Sequence, residues 1–174
     1  MKKYYEKLYQ SVDVDNPDPF IDSLKQPNTI KPEHINDMEK EISHDELLKI
    51  IKSLPRNKSP GEDGYPAEFY QFFWIDIKDY LLASYKATFE YKELSITQKR
   101  GVLSLIPKKE NPLKLKNWRP ISLLNQDYKI LAKLIAERIK IAIPYLIDAD
   151  QCGFIKGRYI GQNIVNIIDI LHQS

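Results

Sequence analysis

Val102-Leu103-Ser104-Leu105-Ile106-Pro107-Lys108-Lys109-Glu110-Asn111-Pro112-Leu113-Lys114-Leu115-Lys116-Asn117-Trp118-Arg119-Pro120-Ile121-Ser122-Leu123-Leu124 is the stretch that decides the fold. Val102–Pro107 is a short apolar run whose bulk is Leu103, Leu105 and Ile106, and it predicts a buried strand. Lys108–Lys116 is polar and contains Asn111-Pro112, the composition of a long hairpin tip. Trp118–Leu124 is the return strand. Asn125 is placed to cap a following helix, in which Ile130, Leu131, Leu134, Ile135 and Ile139 recur with helical period until Pro144 limits it.

Upstream, Ser43-His44-Asp45-Glu46 has the spacing of a capping box, followed by the stripe Leu47, Ile50, Ile51 and Leu54. Pro55 ends that helix, and Asn57–Gly64 is dense in turn residues. Pro66 suits the first turn of the next helix. Tyr65, Phe69, Tyr70, Phe72, Phe73 and Trp74 then crowd the chain, and aromatics at helical spacing predict core. Helix continues, with room for a break, through Ile77, Leu81, Tyr85 and Phe89. The first ten residues predict a short helix with Tyr5, Leu8 and Tyr9 on one side. Residues 13–34 hold four prolines and predict an irregular connector; Asp13, Asp15 and Asp18 lack the glycine and terminal glutamate of a calcium loop. Downstream, Gln151–Arg158 is a glycine-punctuated turn, and Ile160, Ile164, Ile167, Ile168 and Leu171 mark a final amphipathic helix. The class expected is α+β, mainly helical, with one β-hairpin.

The chain has 174 residues, 43% apolar and 29% charged, which fits one globular domain and argues against disorder. No run approaches the roughly 18 apolar residues of a membrane span, and Met1–Lys7 has no apolar block behind it to make a secretory signal. Cys152 stands alone and the three histidines, His34, His44 and His172, are scattered, which argues against a disulfide framework or a multi-cysteine zinc site.

The formal charge of +2 hides an asymmetry. Residues 1–98 carry 13 basic and 18 acidic side chains, whereas residues 99–140 carry 11 basic and 3 acidic, a local net of +8. That sign contrast suggests a polyanionic partner, although a solvated helix face with a Lys-rich hairpin tip gives the same count. No local spacing supplies a nucleophile beside its base. The 59–64 loop lacks the Gly-Lys-Ser/Thr of a phosphate loop, and Gly157-Arg158-Tyr159-Ile160-Gly161 is not a dinucleotide fingerprint. The basic hairpin is the stronger lead: a Lys and an Arg on paired strands can aim two cations at one phosphate group, the Arg as a bidentate fork. Exposed backbone donors in the Lys58–Gly64 loop could follow a nucleic-acid backbone.

Ser59-Pro60-Gly61-Glu62-Asp63-Gly64-Tyr65-Pro66-Ala67-Glu68-Phe69-Tyr70 resembles the block that opens the reverse transcriptase of LINE-type (non-LTR) retrotransposons. Four further blocks follow in the family's order: Leu105–Lys108, Asn117–Asn125, Lys129–Ile139 and Asp150–Arg158. The resemblance covers residues 35–174 as a fingers region, with residues 1–34 similar to the connector that follows the family's endonuclease.

It implies that Lys108 and Arg119 grip the incoming nucleotide triphosphate, and that Lys58, Ser59, Gly61 and Gly64 contact the template. It also implies that Gln151, Gly153 and Phe154 shape the pocket at the template base, with Arg158 nearby. Plain turns and solvated charges remain the alternative at each place. The implied partners are an RNA template, an RNA/DNA hybrid and a deoxynucleoside triphosphate, in the cytoplasm or nucleus. The family enzyme uses Mg held by paired aspartates in the palm. No Asp-Asp pair occurs here, Asp169 lies in the wrong block, and the sequence ends on the helix before the first such strand. The expectation is a fingers portion without its palm, with no catalytic or metal-binding residue of its own and no polymerisation alone. A non-catalytic RNA-binding module and an inert retroelement remnant are the alternatives.

Overall fold

The structure, a computed structural model, describes residues 2–10, 30–108, 111, 113–148, 151–153, 155 and 157–173. Asp13, Asp15, Asp18 and most of the expected connector lie outside these residues, as do Lys109, Asp150 and Phe154. Lys2–Leu8 form a short helix, α1. Pro32–Glu39 form α2, with Pro32 in the first turn, where its missing N–H has no helical partner to lose. Residues 32–34 are therefore helical, where the prolines of 13–34 predict an irregular connector.

The chain divides into two units, one formed by Met1–Ser23 and Ile42–Leu134, the other by Leu24–Glu41 and Ile135–Ser174. In the first, α3 spans His44–Lys52, and Ser43 Oγ accepts the Glu46 N–H at 3.2 Å, the expected cap. Its last carbonyls are not left bare, because Gln71 Nε2 donates to Ile51 O at 3.0 Å and to Leu54 O at 3.3 Å. Gln71 belongs to α4, Ala67–Phe72, which a kink at Phe73 (φ −90°, ψ 18°) separates from α5, Trp74–Tyr91.

The core joins Leu47, Ile50, Ile51 and Leu54 to Tyr70, Trp74, Leu81 and Tyr85 and to Ile130, Leu131 and Leu134. Tyr85 is fully buried and its hydroxyl donates to Asp127 O at 2.8 Å, so the ring contributes apolar area without stranding its polar end. The aromatic cluster is only partly core. Tyr70 and Trp74 are buried, but Phe72 is 82% exposed, and Tyr65 and Phe73 are also exposed. The rings of 65, 69, 72 and 73 contact one another in a row, with Phe69 also packed against the core.

Gly101–Pro107 (β1) and Trp118–Leu124 (β2) pair antiparallel as a two-stranded sheet, Gly101 opposite Leu124 through Pro107 opposite Trp118. The expected buried strand is instead largely exposed, Leu103 to 55%, because two strands alone cannot cover both faces of a ribbon. On one face Leu103, Leu105 and Pro120 line a cavity of about 490 Å³ together with Lys2, Tyr5, Glu6 and Tyr9 of the α1 region.

The helix α6, Gln126–Leu146, begins in the first unit and ends in the second. Pro144 does not stop it where expected: the Ile147 N–H still reaches Ile143 O at 3.1 Å, so the ladder survives one missing donor. In the second unit Arg138 of α6, only 8% exposed, donates to Met38 O (3.1 Å), Lys40 O (2.7 Å) and Glu41 O (3.3 Å) at the C-terminal end of α2. The His34 and Tyr145 rings stack at 4.7 Å. Helix α7, Gly161–Gln173, carries the expected stripe, and Ile160, Ile164, Ile167, Ile168 and Leu171 are exposed. The described residues are thus mainly helical with one antiparallel hairpin.

Candidate nucleic-acid interface

The hairpin register places the two predicted phosphate-binding side chains. Arg119 stands opposite Ile106, and the Lys108 N–H donates to Asn117 O at 2.8 Å, continuing the ladder one step. Residues directly opposite share a face and successive residues alternate, so Lys108 and Arg119 lie on the same face at diagonal positions. Arg119 is exposed. Lys108 is half-buried, and its Nζ donates to Lys116 O at 3.0 Å across the tip. Asn117, nearly buried, orders that tip: its Nδ2 donates to Asn111 O at 2.7 Å and its own N–H to Lys114 O at 2.9 Å.

The basic side chains of residues 99–140 divide between the hairpin, its root and α6, where Lys129 also lies. Lys99 pairs with Glu93, Arg100 with Glu62 at 4.0 Å, and Lys140 with Glu137 at 2.6 Å. Lys133 Nζ donates to Ser53 O at 3.0 Å, and Arg138 is engaged as above. Lys108, Lys114, Lys116 and Arg119 stand on the ribbon or its tip.

The Lys58–Gly64 loop is pinned at both ends. At the start, Asn57 (φ 57°) donates its N–H to Glu68 Oε1 at 2.6 Å, which holds the Glu68 carboxyl below its ordinary range, and Arg56 Nε donates to Gln71 Oε1 at 2.9 Å. At the far end Asp63 Oδ1 accepts the Tyr65 N–H at 3.1 Å, and the Gly64 N–H reaches Gly61 O at 3.3 Å. Gly64 has φ 76°, the left-handed region that glycine occupies without penalty. Lys58 and Ser59 are exposed between these anchors. Within the loop, the Gly64 N–H is thus engaged by Gly61 O and the Asp63 N–H by Asn125 Oδ1, while Lys58 and Ser59 present their side chains to solvent.

Asn125 is the residue whose role the sequence did not reveal. Its carbonyl accepts the Lys129 N–H at 3.2 Å, as a helix cap's does. Its side chain instead serves other segments: Oδ1 accepts the Asp63 N–H at 3.4 Å, and Nδ2 donates to Thr97 O at 3.0 Å. Gly61 lies so close that a Cβ there would fall 2.1 Å from Asn125 Oδ1 and 2.6 Å from its backbone N. The available signal was an amide, rather than an aliphatic residue, at the junction of a strand and a helix.

In the second unit Gln151 is exposed and Gly153 half-buried. Arg158 holds this turn and the end of α6 together. Its Nη1 donates to Asp148 O and, at 2.9 Å, to Gln151 O; its Nη2 donates to Pro144 O at 3.2 Å and Ile147 O at 2.9 Å. A cation on the orphan carbonyls of a helix C-terminus is favourable by both hydrogen bonding and dipole. Gly157 has φ 84° and open space where a Cβ would stand, so its requirement is backbone angle alone.

Among the described residues no three His, Cys, Asp or Glu side chains gather as a divalent-cation site would need, and no helix is long and apolar enough to cross a membrane. Near the root of the hairpin, burial raises the Asp127 carboxyl above its ordinary range, against the pull of the Tyr128 N–H that its Oδ1 accepts at 2.7 Å.

The class of protein now follows. Residues 106–174 match the family described as "Reverse transcriptase (RNA-dependent DNA polymerase)". Among individual proteins, the chain is 37% identical over 171 residues to the "Transposon TX1 uncharacterized 149 kDa protein" of Xenopus laevis, covering 98% of this chain and 13% of that protein. It is 32% identical over 121 residues to the "Probable RNA-directed DNA polymerase from transposon BS" of Drosophila melanogaster, covering 68% of this chain and again 13% of the relative. The chain therefore carries reverse transcriptase sequence of a transposon-derived protein, and it spans about an eighth of the length of these relatives.

Proposed function

We propose that these residues form part of the fingers of a LINE-type (non-LTR) reverse transcriptase and contribute grip rather than chemistry. Lys108 and Arg119 contact the triphosphate of an incoming deoxynucleotide. The Lys58–Gly64 loop, through Lys58 and Ser59, contacts the backbone of an RNA template in an RNA/DNA hybrid, and Gln151, Gly153 and Phe154 line the space near the template base. The observation that carries this reading is the hairpin register, which sets one Lys and one Arg diagonally on a single face. Two cations so placed can share one phosphate group, with the guanidinium supplying the planar fork. Among the described residues no carboxylate cluster gathers that would hold the Mg of the family enzyme.

The test uses the 174-residue chain with a primed RNA template, labelled deoxynucleotide and Mg. Triphosphate and RNA binding that weaken on Lys108→Glu and Arg119→Glu, with no primer extension, are the expected results. RNA affinity should fall steeply with salt because phosphate contacts release counterions. Clear extension by this chain, or binding indifferent to both substitutions, overturns the proposal.

A further inference from the structure

Asn125 connects, through one side chain, segments that are far apart in sequence. Its backbone follows Leu124, the last residue of β2, and starts α6. Its Nδ2 holds Thr97 O in the turn that leads into β1. That turn is stiff on its own account: the Ser95 N–H donates to Gln98 Oε1 at 3.2 Å, the Gln98 N–H to Ser95 Oγ at 3.3 Å, and the Arg100 N–H to the same Thr97 carbonyl at 3.3 Å. Its Oδ1 holds the Asp63 N–H, and its backbone closes on Gly61. Asn125 is 2% exposed, so no water competes freely for either end of the amide. Both strands of the hairpin at their root, and the far end of the 58–64 loop, are thus referred to one rigid group.

We infer that Asn125 is the positioning residue that fixes the Lys58–Gly64 loop against the root of the β1–β2 hairpin, so that backbone contacts to RNA on the loop and phosphate contacts on the hairpin are made in a fixed mutual geometry. This rests on the reading above that the loop meets RNA. Gly61 belongs to the same device: it is glycine because the loop can lie on Asn125 only where no Cβ intervenes.

The experiment measures binding of a fluorescein-labelled single-stranded RNA to the full chain and to five variants: K58E, N125A, the double variant, G61A and Y85F. The expected result is a loss of about fivefold for N125A, the effect of one buried hydrogen bond set. G61A should lose a similar amount, since its methyl lifts the loop while leaving the Asn125 to Thr97 bond in place. The double variant K58E/N125A should bind no more weakly than the more impaired single variant by more than about twofold, because a displaced loop has already lost the Lys58 contact. Y85F, which removes a core hydroxyl bonded to Asp127 O rather than to the loop or to Asn125, should melt earlier and bind RNA as before, separating positioning from general destabilisation. If N125A does not fold, G61A decides. K58E impaired with N125A and G61A unchanged, or strict additivity in the double variant, overturns the role of Asn125 and leaves the loop as an RNA contact. K58E unchanged removes the loop reading itself, and the inference with it.

Discussion

Lys108 and Arg119 stand diagonally across the hairpin on one face of the ribbon, Lys108 hydrogen-bonded through its N–H to Asn117 O and Arg119 opposite Ile106. Diagonal neighbours in an antiparallel pair are about 7–8 Å apart at their Cα atoms, close enough for two long cations to meet on one polyphosphate. If they do, Lys108→Ala and Arg119→Ala each weaken triphosphate binding, and the double variant loses less than the two single losses combined. Arg119→Lys keeps the charge but not the fork and should recover only part of the loss. Equilibrium binding of a fluorescent deoxynucleoside triphosphate at fixed ionic strength checks all four. Full additivity would place the two cations on separate groups.

Local patterning made the ribbon legible. Apolar runs bounded by Asn111-Pro112 and by a cap at Asn125 gave β2 to the residue and β1 within one. The stripe in α3, with its Ser43 cap, was equally local. What sequence could not supply were side chains that act at long range. Arg138 reaches carbonyls nearly a hundred positions upstream, and Asn125 reaches Asp63 and Thr97 while looking like an ordinary cap. The aromatic stripe predicts core for the whole cluster, but helical period puts Tyr70 and Trp74, four residues apart, on the face that continues through Leu81 and Tyr85, whereas Phe72 falls on the opposite side and is exposed. At the candidate site, Lys108, Arg119 and the 58–64 loop were named from sequence, whereas the amide that holds the loop was not.

Arg138 makes three hydrogen bonds to backbone carbonyls from a position that is 8% exposed. Removing it strands those carbonyls away from water, and hydrogen bonds to a charged group are worth about 1.5–3 kcal/mol each before non-additivity. Arg138→Ala is expected to cost about 3 kcal/mol in all, and Arg138→Lys should recover less than half, because one ammonium cannot fan across three carbonyls. Urea denaturation followed by circular dichroism gives the difference. A loss below about 1 kcal/mol would mean that water replaces the guanidinium.

Asp127 lies in the first turn of α6, where the helix dipole favours a negative charge, yet burial wins and raises its carboxyl above the ordinary range. A raised carboxyl contributes stability that is present below the unfolded-state value, near pH 4, and is lost as pH rises through the folded-state value. Asp127→Asn removes that penalty while its Oδ1 can still accept the Tyr128 N–H now seen at 2.7 Å. The variant should therefore match or exceed the parent's melting temperature at pH 7, and the advantage should shrink as pH falls towards 4. Melting curves at half-unit pH intervals test this. A variant that is less stable at pH 7 and equal at pH 4 would show the carboxylate to be stabilising.

Arg158 sits within the turn that resembles a template-base pocket, but its guanidinium donates to the carbonyls of Pro144, Ile147, Asp148 and Gln151. Two of these, the Pro144 and Ile147 carbonyls, lie at the end of α6, where no further helical turn supplies N–H partners. Three of the bonds are solvent-accessible, so their effect is discounted for screening, and Arg158→Ala is expected to cost about 1–2 kcal/mol. The loss should be local. Amide exchange should accelerate in the last turn of α6 and at Gln151, while the Tyr85 and Leu134 amides keep their protection. RNA affinity at fixed salt should change less than twofold, since this cation faces carbonyls and not phosphate. A large loss of RNA binding with unaltered exchange at 143–147 would reverse the assignment and make Arg158 a nucleic-acid contact.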